Sequence, residues 1–298
     1  FVSNYKGGIK MFTSAIIPTD LSQESMALVK SLGKLKSFGL KKCLILQNTI
    51  SGGDASPEAI TATENMTIRA KTKILEDQGL EVDARRVVGL TAAEVNRISD
   101  EENIPFIIAG AKTRNVFSEV LLGEMAYNLI HTCRKPIFLL RLEDIIVDDL
   151  ATPKAARDDY AKHILFPTDF SETAGMAFEA LLKMLQPDVK KLTLMHVQDQ
   201  TRLNPYLVSR LSEFNEVDAE RLAELKKRVL EVAKIEVDTL ITYGNPASDI
   251  IKTAKDLDIQ LVVMGSQGRG FVRDFFIGSV GHNVARQSPS SVLLFPNI

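Results

Sequence analysis

The stretch from residue 265 to residue 280, GSQGRGFVRDFFIGSV, is the part of the chain best equipped for chemistry. Gly265, Gly268 and Gly270 fall close together, Arg269 and Arg273 bring positive charge, and Gly278-Ser279 stands where a helical pattern begins. A glycine leaves no Cβ between the backbone and a ligand. A helix N-terminus presents unbonded N–H groups and the positive end of the helix dipole, which together favour an anion. Ser279 adds a hydroxyl, and the arginines sit on a loop able to close over whatever binds. A second segment, Pro167-Thr168-Asp169, supplies a carboxylate that can accept from an amine on a nucleobase. These parts suit a nucleotide. Plain turn chemistry also accounts for glycines between a strand and a helix, and Asp169 also reads as a helix cap.

Both segments end apolar runs. HILFPT leads into Asp169, and IQLVVMG carries Met264 into Gly265. IQLVVMG and its earlier counterpart IPFIIAG are continuously apolar, as burial on both faces requires, so they are expected in a parallel sheet covered by helices on each side. SETAGMAFEALLKML reads as a helix capped by Ser171, and a long helix is expected from about Asn204 to Lys234. Ser56-Pro57-Glu58 has the cap, first-turn proline and acid of another helix start. Right-handed crossovers then leave a doubly wound α/β fold, whose ligands bind outside the carboxyl ends of the strands where the strand order reverses.

The chain is written twice. Ile17-Pro18-Thr19-Asp20-Leu21-Ser22 returns as Phe166-Pro167-Thr168-Asp169-Phe170-Ser171, 149 positions on (Asp20 to Asp169). Gly110 returns as Gly265 and Gly123 as Gly278, both 155 positions on. Each copy, about 140 residues, is long enough to bury its own core. The expected boundaries are 11–141 for the first domain, 142–160 for an acidic, alanine-rich linker, and 161–298 for the second. Met11 reads as a natural start, and the ten residues before it are left out of the fold.

Net charge is −2, from 36 basic and 38 acidic residues, so no basic surplus calls for nucleic acid or a membrane surface. No apolar run reaches the roughly 18 residues of a spanning helix. Two separate thiols, Cys43 and Cys133, suggest a reducing compartment and therefore a cytoplasmic protein. None of the four histidines joins another histidine or a cysteine in a metal-ligand array, so no metal site is expected. His196 ends a strand beside the crevice, where it either touches the ligand or packs within the sheet. Ser51-Gly52-Gly53-Asp54 is near the SGGxDS loop of ATP pyrophosphatases but follows the second strand, and reads as a turn. No nucleophile–base pair is visible, so no catalytic residue is assigned and at most weak ATP hydrolysis is expected. The alternative is a slow ATPase or a phosphoryl- or nucleotidyl-transferring enzyme of the same fold, with Arg269, Arg273, Ser279 and His282 as its candidate groups.

Gly265-x2-Gly268-x9-Gly278-Ser279, with PTDFS at 167–171, MHV at 195–197 and the closing SSVLLFP, resembles the nucleotide motif of the universal stress protein family. The likeness runs through both copies, as in a tandem, two-domain member. It implies two Rossmann-like domains of the adenine nucleotide alpha hydrolase-like kind, each a five-stranded parallel sheet in the order 3-2-1-4-5. It implies ATP or AMP as ligand, with or without magnesium, and a stress-response or regulatory role. By that likeness Asp169 and Val197 hold adenine. Gly265, Ser266 and Gly268 follow the ribose and phosphates, with Arg269 and Gly270 beside them. Gly278, Ser279 and Val280 take the phosphate end. In this family the last strand commonly pairs two domains, so the halves are expected to pair with each other, or the chain to form a homodimer. The first copy keeps Asp20 and Gly110 but has Thr113, Glu124 and Asn48 where the second has Gly268, Ser279 and Val197. A glutamate at the helix start takes the place of a phosphate, so triphosphate binding is expected to be lost there, while Lys112 and Arg114 leave room for weak AMP binding.

Overall fold

The computed structural model of the chain describes residues 12–49, 57–112, 114–116, 119–147, 150–157, 159–185, 187–199, 211–268 and 277–297. The chain divides into two compact units, Phe1–Asp158 and Asp159–Ile298. The first unit runs β1 (Ser14–Thr19), α1 (Gln23–Ser31), a 3-10 stretch (Leu32–Phe38), β2 (Lys42–Thr49), α2 (Pro57–Asp77), β3 (Glu81–Val88), α3 (Ala92–Glu101), β4 (Ile107–Lys112), β5 (Arg114–Val116), β6 (Glu119–Leu121), α4 (Glu124–Thr132), β7 (Ile137–Val147) and β8 (Leu150–Ala155). Its parallel strands lie in the order β3-β2-β1-β4-β7.

The second unit runs β9 (His163–Pro167), α5 (Glu172–Met184), β10 (Lys191–Gln198), α6 (Leu211–Val232), β11 (Glu236–Tyr243), α7 (Pro246–Asp256), β12 (Leu261–Gly265), α8 (Ser279–Gln287) and β13 (Ser291–Phe295). Its strands are parallel in the order β11-β10-β9-β12-β13. Every residue of β9, β12 and β13 is buried, as strands covered by helices on both faces must be. With right-handed crossovers, α5 and α6 cover one face and α7 and α8 the other. The strand order reverses between β9 and β12, which pair through Ile164 with Leu261 and Leu165 with Val262.

Local signals place the helix starts. Ser171 caps α5, its hydroxyl accepting from the Ala174 N–H at 3.3 Å, and Ser22 caps α1 from the Ser25 N–H at 3.1 Å. Asn245 caps α7, whose first residue is Pro246. The expected cap Ser56, the Ser51–Asp54 turn and the start of the long helix at Asn204 lie outside the described residues.

Residues 142–160, read as a linker, carry the end of β7 and all of β8, which pair antiparallel from Leu142 with Ala155 to Val147 with Leu150. Acidic composition and a proline suggested a solvated connector. The β-branched residues at 145–147 belong instead to a hairpin, and β8 pairs only with β7 among the described strands, so Pro153 interrupts no second ladder. The antiparallel pair β5–β6, between β4 and α4, was also not foreseen.

Helix α5 packs tightly on the sheet through Gly265. A Cβ there would lie 2.9 Å from Thr173 Cγ2 and 3.1 Å from the Thr173 carbonyl carbon. By contrast, nothing lies within 4 Å of a Cβ at Gly175 inside α5. Gly265→Ala is therefore expected to lower stability by about 1–3 kcal/mol through overpacking. Gly175→Ala is expected to raise it by roughly 0.5–1 kcal/mol. Denaturant titration of the two variants measures both signs.

Candidate functional site

Because β9 and β12 are parallel neighbours, Thr168-Asp169 and Ser266-Gln267-Gly268 leave the same edge of the sheet side by side. The Thr168 N–H continues the ladder onto the Met195 carbonyl of β10 at 2.8 Å, and Val197 follows near the end of that strand, half-buried. Asp169 spans the gap. Its Oδ1 accepts from the Ser171 N–H at 3.0 Å, while its Oδ2 lies 2.6 Å from where a Cβ on Gly268 would stand. The carboxylate of one segment thus lies over the bare backbone of the other, and a side chain at Gly268 would have to displace it. Asp169 supports the helix entry without being its cap, which is Ser171.

The far wall is the start of α8. The Gly278 N–H donates to the Ser266 carbonyl at 2.8 Å, and a Cβ on Gly281 would stand 2.8 Å from that same oxygen. Ser266 is therefore pressed against the first turn of α8. Among the described residues no side chain caps α8, and no acid lies in its first turn to compensate the positive end of its dipole. Ser279 is exposed there, and Gly278 and Val280 are half-buried. Pro167, Met264 and Gly265 are strand residues that set this wall and floor. Arg269, Gly270 and Arg273 lie outside the described residues. Gly281 was missed in the sequence: its repeat partner is Ala126, so self-comparison did not flag it.

The sequence model of the universal stress protein family matches residues 161–296. A universal stress protein of Methanocaldococcus jannaschii is 30% identical over 151 aligned positions, spanning 45% of this chain and 93% of that relative. The chain belongs to the universal stress protein family. A Staphylococcus aureus relative is 31% identical over 137 positions, 45% of this chain and 82% of its own length. The crystal structure of a universal stress protein from Archaeoglobus fulgidus aligns with a TM-score of 0.67 at 21% identity, covering 95% of this chain and 98% of that one. A Pseudomonas aeruginosa structure aligns with a TM-score of 0.68 at 15% identity, covering 97% and 95%. These two alignments extend the fold over both halves.

Beneath the crevice, this universal stress protein has a polar cluster that sequence reasoning did not assemble. His196 is buried, with Nδ1 2.7 Å from the Thr168 carbonyl oxygen. Its Nε2 lies 3.4 Å from Asp218 Oδ2 on α6, which also accepts from Gln198 Nε2 at 2.9 Å. Arg221 reaches Asp218 Oδ1 at 3.5 Å. The available signals were a histidine at a strand end and an Asp–Arg pair three residues apart on a helix, each common on its own.

The corresponding place in the first unit is satisfied internally. Burial pushes the Asp20 carboxyl up, but the Ser22 and Ser25 hydroxyls, the Ser22 N–H and nearby Lys71 outweigh that and hold it below its ordinary range. Asn48 Oδ1 accepts from the Leu90 N–H at 2.9 Å. Lys112, expected as a cation for AMP, bonds Glu24 at 2.7 Å and Asp144 at 2.9 Å, and the Glu24 bond raises its pKa. Glu124 stands in the first turn of α4. Side chains at Thr113 and Arg114 are not described. Beneath Asp20, Lys71 is fully buried, donating to the Asp20 carbonyl and to Gln47 Oε1 at 2.8 Å.

Desolvation lowers the Lys71 ammonium to about 8, against an attraction to Asp20 that raises it. Below that value Lys71 is charged in the folded and unfolded chain alike, and the full penalty of burying the charge is present. From about 8 up to the ordinary 10.5 the folded chain releases its proton first, so stability rises with pH. Measured against Lys71→Met, which cancels other titrations, the parent is expected to gain on the order of 3 kcal/mol across that window. Denaturant melts of both proteins from pH 7 to 10.5 give the difference.

Proposed function

We propose that the second unit of this universal stress protein binds an adenine nucleotide, ATP or AMP, and that the chain acts by holding it rather than by turning it over. The Asp169–Gly268 approach carries the reading. It joins a carboxylate suited to an exocyclic amine with a backbone open to close contact, at the reversal point where doubly wound sheets bind ligands. In this proposal Asp169 and Val197 receive the base, Ser266 to Gly270 follow the ribose and phosphates, and the N-terminus of α8 at Gly278-Ser279-Val280 receives the terminal anion. The first unit binds no triphosphate: its carboxylate, carboxamide and lysine are already bonded within the fold, and Glu124 meets the helix dipole where a phosphate would. Membership of the universal stress protein family supports a stress-response or regulatory role for that binding.

Calorimetry on the whole chain is expected to find one adenine nucleotide per chain, and denaturing the purified protein is expected to release one. Ser279→Glu, which places a carboxylate on the phosphate seat, is expected to abolish binding with the melting temperature kept. Gly268→Ala is expected to weaken binding about tenfold or more by displacing Asp169. Unchanged affinity in Ser279→Glu would overturn the phosphate assignment. Sustained ATP turnover with magnesium, lost in Ser279→Ala, would favour the enzyme reading instead.

A further inference from the structure

The turn that carries Asp169 does not hold its shape alone. Phe170, beside Asp169, has φ of 58°, in the left-handed region where a bulky side chain is strained. Such a residue persists where its surroundings over-determine it, and here groups from two other elements converge on it. From β10, His196 aims Nδ1 at the Thr168 carbonyl, and since a carbonyl only accepts, Nδ1 is a donor there. The same imidazole packs on the Phe170 ring at 4.8 Å between centroids. From α6, Asp218 lies against His196 Nε2, steadied by Gln198 and Arg221. Arg221 closes the circuit, with its guanidinium 5.2 Å from the Phe170 ring centroid. His196 and Asp218 are 7% and 8% exposed, so the cluster is part of the floor rather than a solvent-borne ion pair.

We infer that His196, oriented by Asp218 and Arg221, is a positioning residue that sets the angle from which Asp169 reads the base, so that this cluster governs nucleobase selectivity while the start of α8 governs phosphate binding. The inference rests on the nucleotide reading above and deepens it. The first unit offers an internal contrast. Gln47 stands in register where His196 stands, and Lys71 holds the Asp20 carbonyl in place of an imidazole at the Thr168 carbonyl. Leu21, at the position matching Phe170, keeps negative φ. The strained turn and its clamp thus occur in the unit whose glycine motif is intact.

Two measurements test this on the whole chain. In the nucleotide-free protein, amide exchange over residues 168–174 is expected to quicken about tenfold in His196→Ala and Asp218→Asn. His196→Asn, whose side-chain nitrogen can take the place of Nδ1, is expected to exchange as the parent does. In binding, His196→Ala and Asp218→Asn are expected to lower the preference for AMP over GMP about tenfold, as one lost polar contact does. The preference for AMP over adenosine is expected to stay within about twofold, because phosphate binding lies elsewhere. Phe170→Gly guards against misfolding, since glycine takes positive φ without strain. It is expected to lose the same base preference with no fall in melting temperature. Base preference unchanged in these variants sinks the inference alone. So does a joint fall of both preferences with the melting temperature, which would make the cluster a general support. A parent that binds neither AMP nor GMP sinks the nucleotide reading and this inference with it.

Discussion

Pairing of β9 with β12 is the constraint on which the rest of the second unit depends. Two strands far apart in the chain lie parallel, Leu165 beside Val262, because each is apolar enough to be covered on both faces. Parallel neighbours release their following loops at one edge. Asp169 and Gly268 can meet there and nowhere else, and the helices that leave those loops, α5 and α8, pack back on the same sheet. The glycines then divide by task. Gly265 admits α5 to the sheet, Gly281 admits the Ser266 carbonyl to α8, and Gly268 admits the Asp169 carboxylate. A single residue type answers three separate steric demands, two within the family motif and one, at Gly281, beyond it, and only that of Gly268 faces the crevice.

The two units show how one frame accepts opposite electrostatics. In the first, three polar groups at the crevice are bonded within the fold: Asp20 with serine hydroxyls, Asn48 with a backbone N–H, Lys112 with two carboxylates. Partners supplied by the fold compete with any ligand for the same donors and acceptors, so a satisfied crevice is a weak binding site. In the second, among the described residues the helix start carries no side-chain cap and no acid, and the Asp169 carboxylate, which accepts from the Ser171 N–H, lies against Gly268. In the second unit His196 and Asp218 hold the crevice from beneath.

Much of this was open to reading in the chain. The repeat, the apolar strands, the serine caps at Ser22 and Ser171 and the acid at Glu124 are local or periodic signals, and each depends on residues close together in sequence. The hairpin at 142–155 was hidden because its acidic residues and Pro153 outweigh, in composition, the β-branched residues that pair it. Gly281 was hidden because its role is set by the Ser266 carbonyl, which approaches from another part of the chain.

By itself the sequence determined the alternation of strands and helices in each copy, the parallel sheet, the duplication and the family motif, because hydrophobic period and capping chemistry act over a few residues. Only the tertiary structure decided which groups meet. That Asp218 reaches His196, that Phe170 takes a left-handed turn under Arg221, and that Lys71 is buried beneath Asp20 each follow from strand order and helix packing across long separations. A lone histidine, aspartate or lysine reads the same in any chain until another element is packed against it, since its partner and its loss of water arise only on folding.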